Sequence, residues 1–278
     1  PDIFNFVQSS KFCMKLIRFE KSPPLLQKKS LSDWWDGCKP NNESHSTTVW
    51  VIVDIFTQYY DVNIGQDALN LLKKCKVNIQ IIFPKNSIVA MVSHGLLNEA
   101  KNELKVLHSQ LNDIAKGDLI VGFEPSEVLV WRDEARNLIN GNLPSVLLFE
   151  ELLLKLNQLK VLPKFNVVNS KVWVYEHCHQ KALSETNNLT KALGLISNLQ
   201  IEIIHGGCCG MAGEFGYKYI DLSKKIAHNS LDSYIEKIKK HDKLLATGTS
   251  CRKQILDIYK IQSTSLPSLF VESIEGDS

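Results

Sequence analysis

The sequence lacks the features that mark membrane-spanning, exported and nucleic-acid-binding proteins. No apolar run in the 278 residues reaches the roughly 18 to 20 residues of a transmembrane helix, and the stretch PDIFNFVQSSKFCMK lacks the order of a signal peptide. The formal net charge is only +2 at pH 7, without a long block of one sign, so neither nucleic acid nor an anionic membrane is indicated. We expect a cytoplasmic protein, with peripheral attachment to the inner face of the membrane as an alternative.

The composition is that of a globular protein with about two domains. Hydrophobic residues make up 44% of the chain and charged residues 22%, enough to build a sizeable core. Because the sequence begins at Pro1 rather than Met, we expect a fragment whose preceding part carries some of the function.

Seven cysteines in such a chain argue against a disulfide framework, because the cytosol keeps thiols reduced. Cys13, Cys38 and Cys75 stand alone in the sequence. Cys75 continues a helical apolar pattern and is predicted to be simple core. The other four cysteines require a different explanation.

Two parts of the sequence repeat each other, with Trp50 and Trp173 in register and a period of about 124 residues. In each part, short apolar strands alternate with amphipathic patterns, such as the predicted helix that includes Leu189, Ile196 and Leu199. The matching pairs are TVWVIVDIFTQ (48–58) with KVWVYEHCHQK (171–181), NIQIIFP (78–84) with QIEIIHG (200–206), and GDLIVGFEPSEVLVWRDE (117–134) with HDKLLATGTSCRKQILDI (241–258).

This alternation predicts an α/β fold of two similar halves, each a small parallel sheet flanked by helices. We expect an N-terminal linker that wraps the protein over residues 1–45, because SPP and KPNNES interrupt any periodicity there. A first half without a cysteine site covers 46–160, and a second half with the site covers 161–278. A further connector is expected around 160–169.

The four remaining cysteines follow the three predicted strands of the second half. Cys178 follows the first strand, Cys208 and Cys209 the second, and Cys251 the third. Parallel strands end at one edge of the sheet, where open α/β proteins bind ligands, so these thiols should converge. The equivalent positions of the first half, none of them cysteine, are Ile55, Asn86 with Ser87, and Glu127.

Three chemistries compete for such a thiol site. A structural zinc ion usually takes paired C-x(2–4)-C ligands, which are missing here, and this reading makes the chain a structural or interaction module. A thiol-based redox protein would use the adjacent pair, but a vicinal disulfide is strained and leaves two thiols unexplained. An iron–sulfur cluster fits best, because several irons offer separate attachment points.

The residues around the thiols suggest how such a group is held. Gly207 and Gly210 belong to the glycine-rich loop HGGCCGMAG, which allows a sharp turn and close backbone approach to a bulky group. His177 and His179 are candidate cofactor-binding residues, either as ligands or as hydrogen-bond donors behind the ligands. Further candidates for ligation or charge stabilisation nearby are His205, Lys181 and Arg252, although solvated surface positions explain them equally well.

The stretches EHCHQKAL, GGCCGMAGEFGY and ATGTSCRKQI resemble the cysteine-rich CCG domain family, which includes heterodisulfide reductase subunits and iron–sulfur subunits of glycolate and lactate oxidases. More narrowly, they resemble the C-terminal region of FAD-linked D-2-hydroxyacid oxidoreductases of the lactate, glycolate or 2-hydroxyglutarate type. The resemblance covers roughly residues 14–260, including SLSDWW. It implies that Cys178, Cys208, Cys209 and Cys251 hold a 4Fe-4S cluster.

The resemblance also implies partners for an electron relay. An FAD-containing dehydrogenase domain or subunit would supply electrons, and a quinone or redox protein would accept them. The chain has no glycine-rich flavin or nucleotide loop, so the FAD is expected in the preceding part or in a partner subunit. Two departures matter: Gly248 stands where many CCG domains have a further cysteine, and Glu127 stands at a first-half position where relatives keep one. We therefore predict one cluster rather than two, and no catalytic residue in this chain.

Overall fold

The computed structural model describes residues 1–16, 18–38, 45–112, 114, 117–185 and 187–275. These residues form an α/β fold with two parallel sheets flanked by helices, which confirms the predicted fold class. Residues 39–44 of the predicted linker lie outside the described residues, and the predicted domain limits stay a prediction.

Three short helices precede the first sheet: α1 (Asp2–Ser9), α2 (Lys11–Leu16) and α3 (Leu31–Asp36). A capping box between Ser30 and Asp33 starts α3. The sequence predicted only a linker here, because helices this short give little periodicity. The segment after α2 contacts the second half: the Glu20 N–H donates to the Tyr217 carbonyl at 2.8 Å, and the Lys21 amine pairs with Asp257 at 2.9 Å.

The first sheet has the strand order β2-β1-β3-β4, and all its pairs are parallel. Helices flank this sheet. The strands are β1 (Thr48–Ile52), β2 (Asn78–Ile82), β3 (Leu119–Gly122) and β4 (Val146–Leu147), and the helices are α4 (Ile55–Tyr59), α5 (Val62–Lys74), α6 (Ile88–Ser93), α7 (Leu97–Asn112), α8 (Pro125–Leu129), α9 (Glu134–Leu138) and α10 (Phe149–Gln158).

The second sheet repeats this arrangement in the order β6-β5-β7. An isolated parallel bridge between Leu245 and Thr264 stands where the first sheet has its fourth strand. The strands are β5 (Phe165–Tyr175), β6 (Ile196–Ile203) and β7 (Lys243–Ala246), and the helices are α11 (Cys178–Leu183), α12 (Asn188–Leu193), α13 (Phe215–Lys218), α14 (Ile220–Ile235), α15 (Thr249–Tyr259) and α16 (Leu266–Glu272).

A repeated hydrogen bond marks the similarity of the halves. The Trp50 indole donates to the Asp118 carboxylate at 3.0 Å, and the Trp173 indole donates to Asp242 at 2.9 Å. Each tryptophan lies on an inner strand of its sheet, and each aspartate lies just before a strand that pairs with it. The register proposed from the sequence therefore matches a shared local geometry.

Two predicted element boundaries are wrong. The helix predicted to continue through Ile196 and Leu199 ends at Leu193, and both residues belong to β6. Gly194 caps that helix, and the apolar residues of the following strand happen to continue its spacing. The connector expected at 160–169 is shorter, because β5 already begins at Phe165.

The core is shared by the halves. One cluster includes Val49 and Val51 of β1 together with Val172 and Val174 of β5. A separate cluster lies under the thiol edge and includes Trp173, Tyr175, Leu231 and two of the cysteines themselves. Cys75 is fully buried, which confirms its assignment to the core.

Candidate metal centre

The four cysteines lie at the carboxyl edge of the second sheet. Cys178 begins α11 just after β5, and Cys251 lies in the first turn of α15 just after β7. Cys208 and Cys209 lie in the loop that follows β6. Because β5 is flanked by strands reached through crossovers in opposite directions, this edge is the switch point where α/β sheets bind ligands.

The thiols form a continuous chain of side-chain contacts. Cys178 contacts Cys208, Cys208 contacts Cys209, and Cys209 contacts Cys251. Cys178 is exposed, Cys208 is half-buried, and Cys209 and Cys251 are buried. The convergence expected from the sequence is therefore present, and it runs from the surface into the core.

These contacts shift the pKa values of the thiols in opposite directions. Hydrogen bonds from Cys178 and Cys209 lower the pKa of Cys208 well below its usual range. The same contacts raise the pKa of Cys178 and of Cys209, because each then serves as the donor. One thiolate is thus formed first, and a cation at this place would draw the protons from the rest.

The loop between β6 and α13 folds sharply at Gly210, as the adjacent cysteines require. Gly210 has a φ of +87°, and a Cβ there would lie 2.3 Å from the Ser223 carbonyl oxygen in α14. The Gly210 N–H donates to the Cys208 sulfur at 3.3 Å. Backbone N–H groups of Met211 and His179 likewise donate to Cys209 and Cys178.

Tyr175 forms the floor of the site, a role that sequence reasoning missed. Its ring is 1% exposed, and its hydroxyl donates to the Gly207 carbonyl at 2.6 Å, which fixes the loop. Burial and then the neighbouring thiols raise the pKa of Tyr175, so it stays neutral. Only its place as the last residue of a buried strand, three positions before Cys178, could have indicated it.

His177 lies against the thiols and carries a buried nitrogen without a partner. A Cβ at Gly248 would lie 2.5 Å from His177 Cδ2 and 3.5 Å from the Cys251 sulfur, so the imidazole fills the space above this glycine. Its Nδ1 is buried and has no hydrogen-bond partner. Burial lowers the pKa of His177 to about 4, which keeps the ring neutral.

The side chains of three other predicted polar residues make contacts elsewhere or face solvent. His179 points toward the first half, where its ring nitrogen lies within 4.8 Å of carboxylate oxygens of Asp133 and Glu134. His205 is exposed. The Lys181 amine donates to the Gly206 carbonyl at 2.8 Å and lies 4.8 Å over the Tyr175 ring, so it supports the loop.

Arg252 makes structural hydrogen bonds, and its predicted charge-stabilising role stays a prediction. Its guanidinium donates to the carbonyls of Ala246 and Thr247 and pairs with Asp61 of the first half at 2.7 Å. It therefore ties the end of β7 to the other half.

The donor set fits a cluster of several metal ions better than a single zinc ion. Tetrahedral zinc with Zn–S bonds of about 2.3 Å places its sulfurs roughly 3.8 Å apart. Among the described residues, three-membered sets of ligand atoms all within 4.8 Å of one another include Asp133–Glu134–His179 but no three of the four thiols. The thiols therefore lie in a row of pairwise contacts rather than around one tetrahedral centre, and the backbone N–H groups on the sulfurs would offset thiolate charge in a bound metal group.

Carboxyl groups of the first half hold the thiol-bearing helices in place, a feature that the sequence did not indicate. Glu124, 4% exposed, accepts from the Thr249 N–H at 2.9 Å and so caps the start of α15. Glu150, also 4% exposed, accepts from the Gln180 amide at 2.5 Å, and Gln180 accepts from the Thr247 hydroxyl at 2.7 Å. No sequence signal joins such distant partners.

The corresponding edge of the first half carries carboxyl groups instead of thiols. Ser87 and Glu127, two positions predicted from the repeat to be equivalent to cysteines, hydrogen-bond each other. Asp54 lies next to them and accepts from the Thr57 N–H and hydroxyl at 2.9 and 2.8 Å. Burial raises the pKa of Asp54 to about 6 and that of Glu127 to about 8.

Comparison with known proteins relates this α/β chain with its thiol site to oxidoreductases. It is similar to the D-2-hydroxyglutarate dehydrogenases of Escherichia coli, at 30% identity over 222 residues, and Pantoea ananatis, at 29% over 216 residues. These matches cover 77% and 74% of this chain but 21% and 20% of the relatives, so the chain spans about a fifth of their length.

A more distant relative is one subunit of the anaerobic glycerol-3-phosphate dehydrogenase of Escherichia coli, which is 20% identical over 193 residues, or 66% of this chain and 48% of the relative. No protein-family model matches, so membership of the CCG family stays a prediction. The aspartate racemase of Picrophilus torridus aligns with 81% of this chain and 91% of its own at 15% identity, but the TM-score of 0.34 supports no argument. Within the described ranges, every helix is too short or too polar to cross a bilayer.

Proposed function

We propose that this chain is the iron–sulfur electron relay of a flavin-linked D-2-hydroxyacid dehydrogenase. Cys178, Cys208, Cys209 and Cys251 would be the ligands of one cluster, of the four-iron type. The observation that carries the proposal is the meeting of four thiols from three strand ends in one chain of contacts.

The protein part of this function is to hold and insulate the group. When bound, an iron–sulfur cluster supplies one-electron transfer at a potential set by hydrogen bonds, charge and burial. Backbone N–H groups of His179, Gly210 and Met211 donate to the sulfurs and offset thiolate charge. Cys209 and Cys251 exclude water from the inner side, whereas exposed Cys178 gives a partner a close approach.

The loop residues support this assignment as positioning groups. Gly210 supplies the positive φ that turns Cys208 and Cys209 to one side, and Gly207 is fixed through Tyr175. His177 packs above Gly248 beside Cys251 and has a buried Nδ1 without a hydrogen-bond partner, and we propose that it helps to hold the group. For His179 we propose a lesser part, through its backbone N–H to Cys178.

The substrate class and partners follow from similarity. The names of two relatives support a 2-hydroxyacid of the 2-hydroxyglutarate type as the substrate. We propose that FAD lies in further polypeptide or in a partner subunit, and that a quinone or redox protein receives the electrons. The glycerol-3-phosphate dehydrogenase relative, itself named as a subunit, is consistent with an assembly of several chains.

Anaerobic reconstitution with ferrous iron and sulfide tests the proposal. We expect about four iron and four sulfide per chain, a brown colour and an EPR signal on reduction. Zinc at one per chain without sulfide would show a structural zinc site instead. Rapid alkylation of a single thiol in metal-free protein, with no iron uptake, would favour thiol redox chemistry.

A matched pair of variants localises the group. Cys208→Ser removes the central sulfur of the contact chain and should abolish the chromophore. Cys38→Ser changes a half-buried cysteine that is not one of the four contacting thiols, and it should leave iron, sulfide and spectrum unaltered. Equal spectra for both variants would contradict the ligand assignment.

A further inference from the structure

The two N-terminal helices expose an apolar surface that the thiol site does not explain. We call it the N-terminal apolar face, formed by six side chains of α1 and α2 that lie close together in sequence. Their exposed fractions are Ile3 84%, Phe4 52%, Phe6 78%, Val7 45%, Phe12 78% and Leu16 76%.

Helix α1 is packed with its polar side toward the protein. Asn5 exchanges two hydrogen bonds with the backbone of Leu26, at 2.9 and 2.8 Å. Gln8, 6% exposed, donates to the Pro24 carbonyl at 3.2 Å. A surface helix normally buries its apolar stripe and exposes its polar one, so this helix is held in the reverse orientation.

The face is large for an uncovered surface. At these exposures the three phenylalanines alone present roughly 300 to 500 Å² of apolar area. The largest apolar patch on an ordinary monomer is about 300 to 600 Å², and the face also includes Ile3, Val7 and Leu16. Such a surface marks a place where something binds.

The chemistry of the face favours lipid over protein. Its outward side chains are purely hydrocarbon, whereas protein interfaces carry about one hydrogen bond per 100 to 200 Å². Exposed cations stand beside it at Lys15, in the last turn of α2, and at Arg18. Asp2 is the single acidic residue of the first 18, so these residues are locally basic although the whole chain is near neutrality.

We propose that α1 and α2 dock on a membrane surface that contains anionic lipids. The phenylalanines and leucine enter the boundary between headgroups and acyl chains, and Lys15 and Arg18 meet lipid phosphates, as in helices that lie in the interfacial plane. This attachment is independent of the thiol site, and metal-free protein retains it.

Vesicle sedimentation of the full chain tests the proposal. We expect binding to phosphatidylcholine–phosphatidylglycerol vesicles, weaker binding to pure phosphatidylcholine, and a further loss as salt is raised. The double variant Phe6→Ser, Phe12→Ser should bind on the order of a hundredfold more weakly, because each buried phenylalanine contributes about tenfold. Lys15→Glu should lose about tenfold on anionic vesicles and keep its binding to the neutral ones.

The matched control changes exposed apolar residues elsewhere. Val106→Ser with Leu159→Ser, at 56% and 50% exposure, should bind like the unaltered chain. Equal losses in control and test variants, or no binding to any vesicle, would overturn the proposal. So would concentration-dependent dimers that the phenylalanine variants dissolve, because the face would then be covered by a second copy.

Discussion

The two halves of this molecule share a scaffold and differ in the chemistry of one edge. Both have a central strand with a tryptophan bonded to an aspartate, and both place helix starts at the carboxyl ends of their strands. At that edge the second half gathers four thiols, whereas the first gathers Asp54, Glu124 and Glu127. The same backbone thus offers soft sulfur ligands in one copy and hard oxygen groups in the other.

The difference shows what the half without thiols contributes. Three of its acidic side chains reach toward the second half: Glu124 caps α15, Glu150 holds Gln180 of α11, and Asp61 pairs with Arg252. Both thiol-bearing helices are therefore positioned from outside their own sheet. We infer that the first half serves to position the two thiol-bearing helices of the second half.

The largest difference between the halves is expected when matching positions of the two are substituted. Cys251→Ser should lose essentially all reconstituted iron, because it removes one of four sulfurs with no spare cysteine in the contact chain. Glu127→Gln, at the matching position of the first half, should retain full iron and sulfide. Iron and sulfide analysis after anaerobic reconstitution measures both, and iron loss in Glu127→Gln would show that the first half also binds metal.

The buried carboxyls should give an unusual pH dependence of stability. Burial raises the pKa values of Asp54, Glu150 and Glu127 to about 6, 7 and 8. Between about pH 4 and pH 8 the folded state binds more protons than the unfolded chain, so their contribution is complete below about pH 4 and is lost as the pH rises through these values. Because a tenfold change in proton affinity corresponds to about 1.4 kcal/mol, the free energy of unfolding should fall by several kcal/mol.

Urea unfolding at about pH 5 and about pH 9 measures this fall. Glu127→Gln should flatten the upper part of the profile, because the amide keeps a hydrogen-bonding group at this position without a titrating proton. A profile that rises with pH over the same range would contradict the assignment of buried, protonated carboxyls.

The turn at the adjacent cysteines provides a smaller effect. Gly210→Ala should reduce the free energy of unfolding by about 3 kcal/mol, because the new Cβ meets the Ser223 carbonyl and φ is positive. Gly213→Ala is the control: φ is +62°, nothing lies within 4 Å of its Cβ position, and the expected cost is about 1 kcal/mol. Similar midpoints in urea for the two variants would mean that the loop is not packed against α14.

The smallest effect is expected from substituting the two tryptophans whose indole hydrogen bonds are repeated in the two halves. Trp50→Phe and Trp173→Phe each remove one indole bond to an aspartate and should each cost about 1 kcal/mol in unfolding free energy. Neither change should alter iron content. A much larger loss in one half would show that the two copies no longer use this bond in the same way.

Much of the architecture was accessible from the sequence because it depends on local pattern. Apolar strands at repeated spacing predicted two parallel sheets, and the order of strands alone predicted that Cys178, Cys208, Cys209 and Cys251 share an edge. The boundary between α12 and β6 was missed because Ile196 and Leu199 fit a helical period as well as a strand. The inverted orientation of α1 could not be predicted either, because the spacing of apolar residues does not show which face of a helix is buried.

The sequence by itself determined the repeat, the fold class and the gathering of thiols at one edge, because these follow from chain periodicity and from the geometry of parallel strands. Tertiary structure decided how the thiols are held. Glu124 reaches Thr249 across 125 residues, and the His177 ring fills the space above Gly248. Such contacts depend on the packing of the two halves against each other. The stabilisation from this interface is spread over many side chains, none of which carries a local sequence signal.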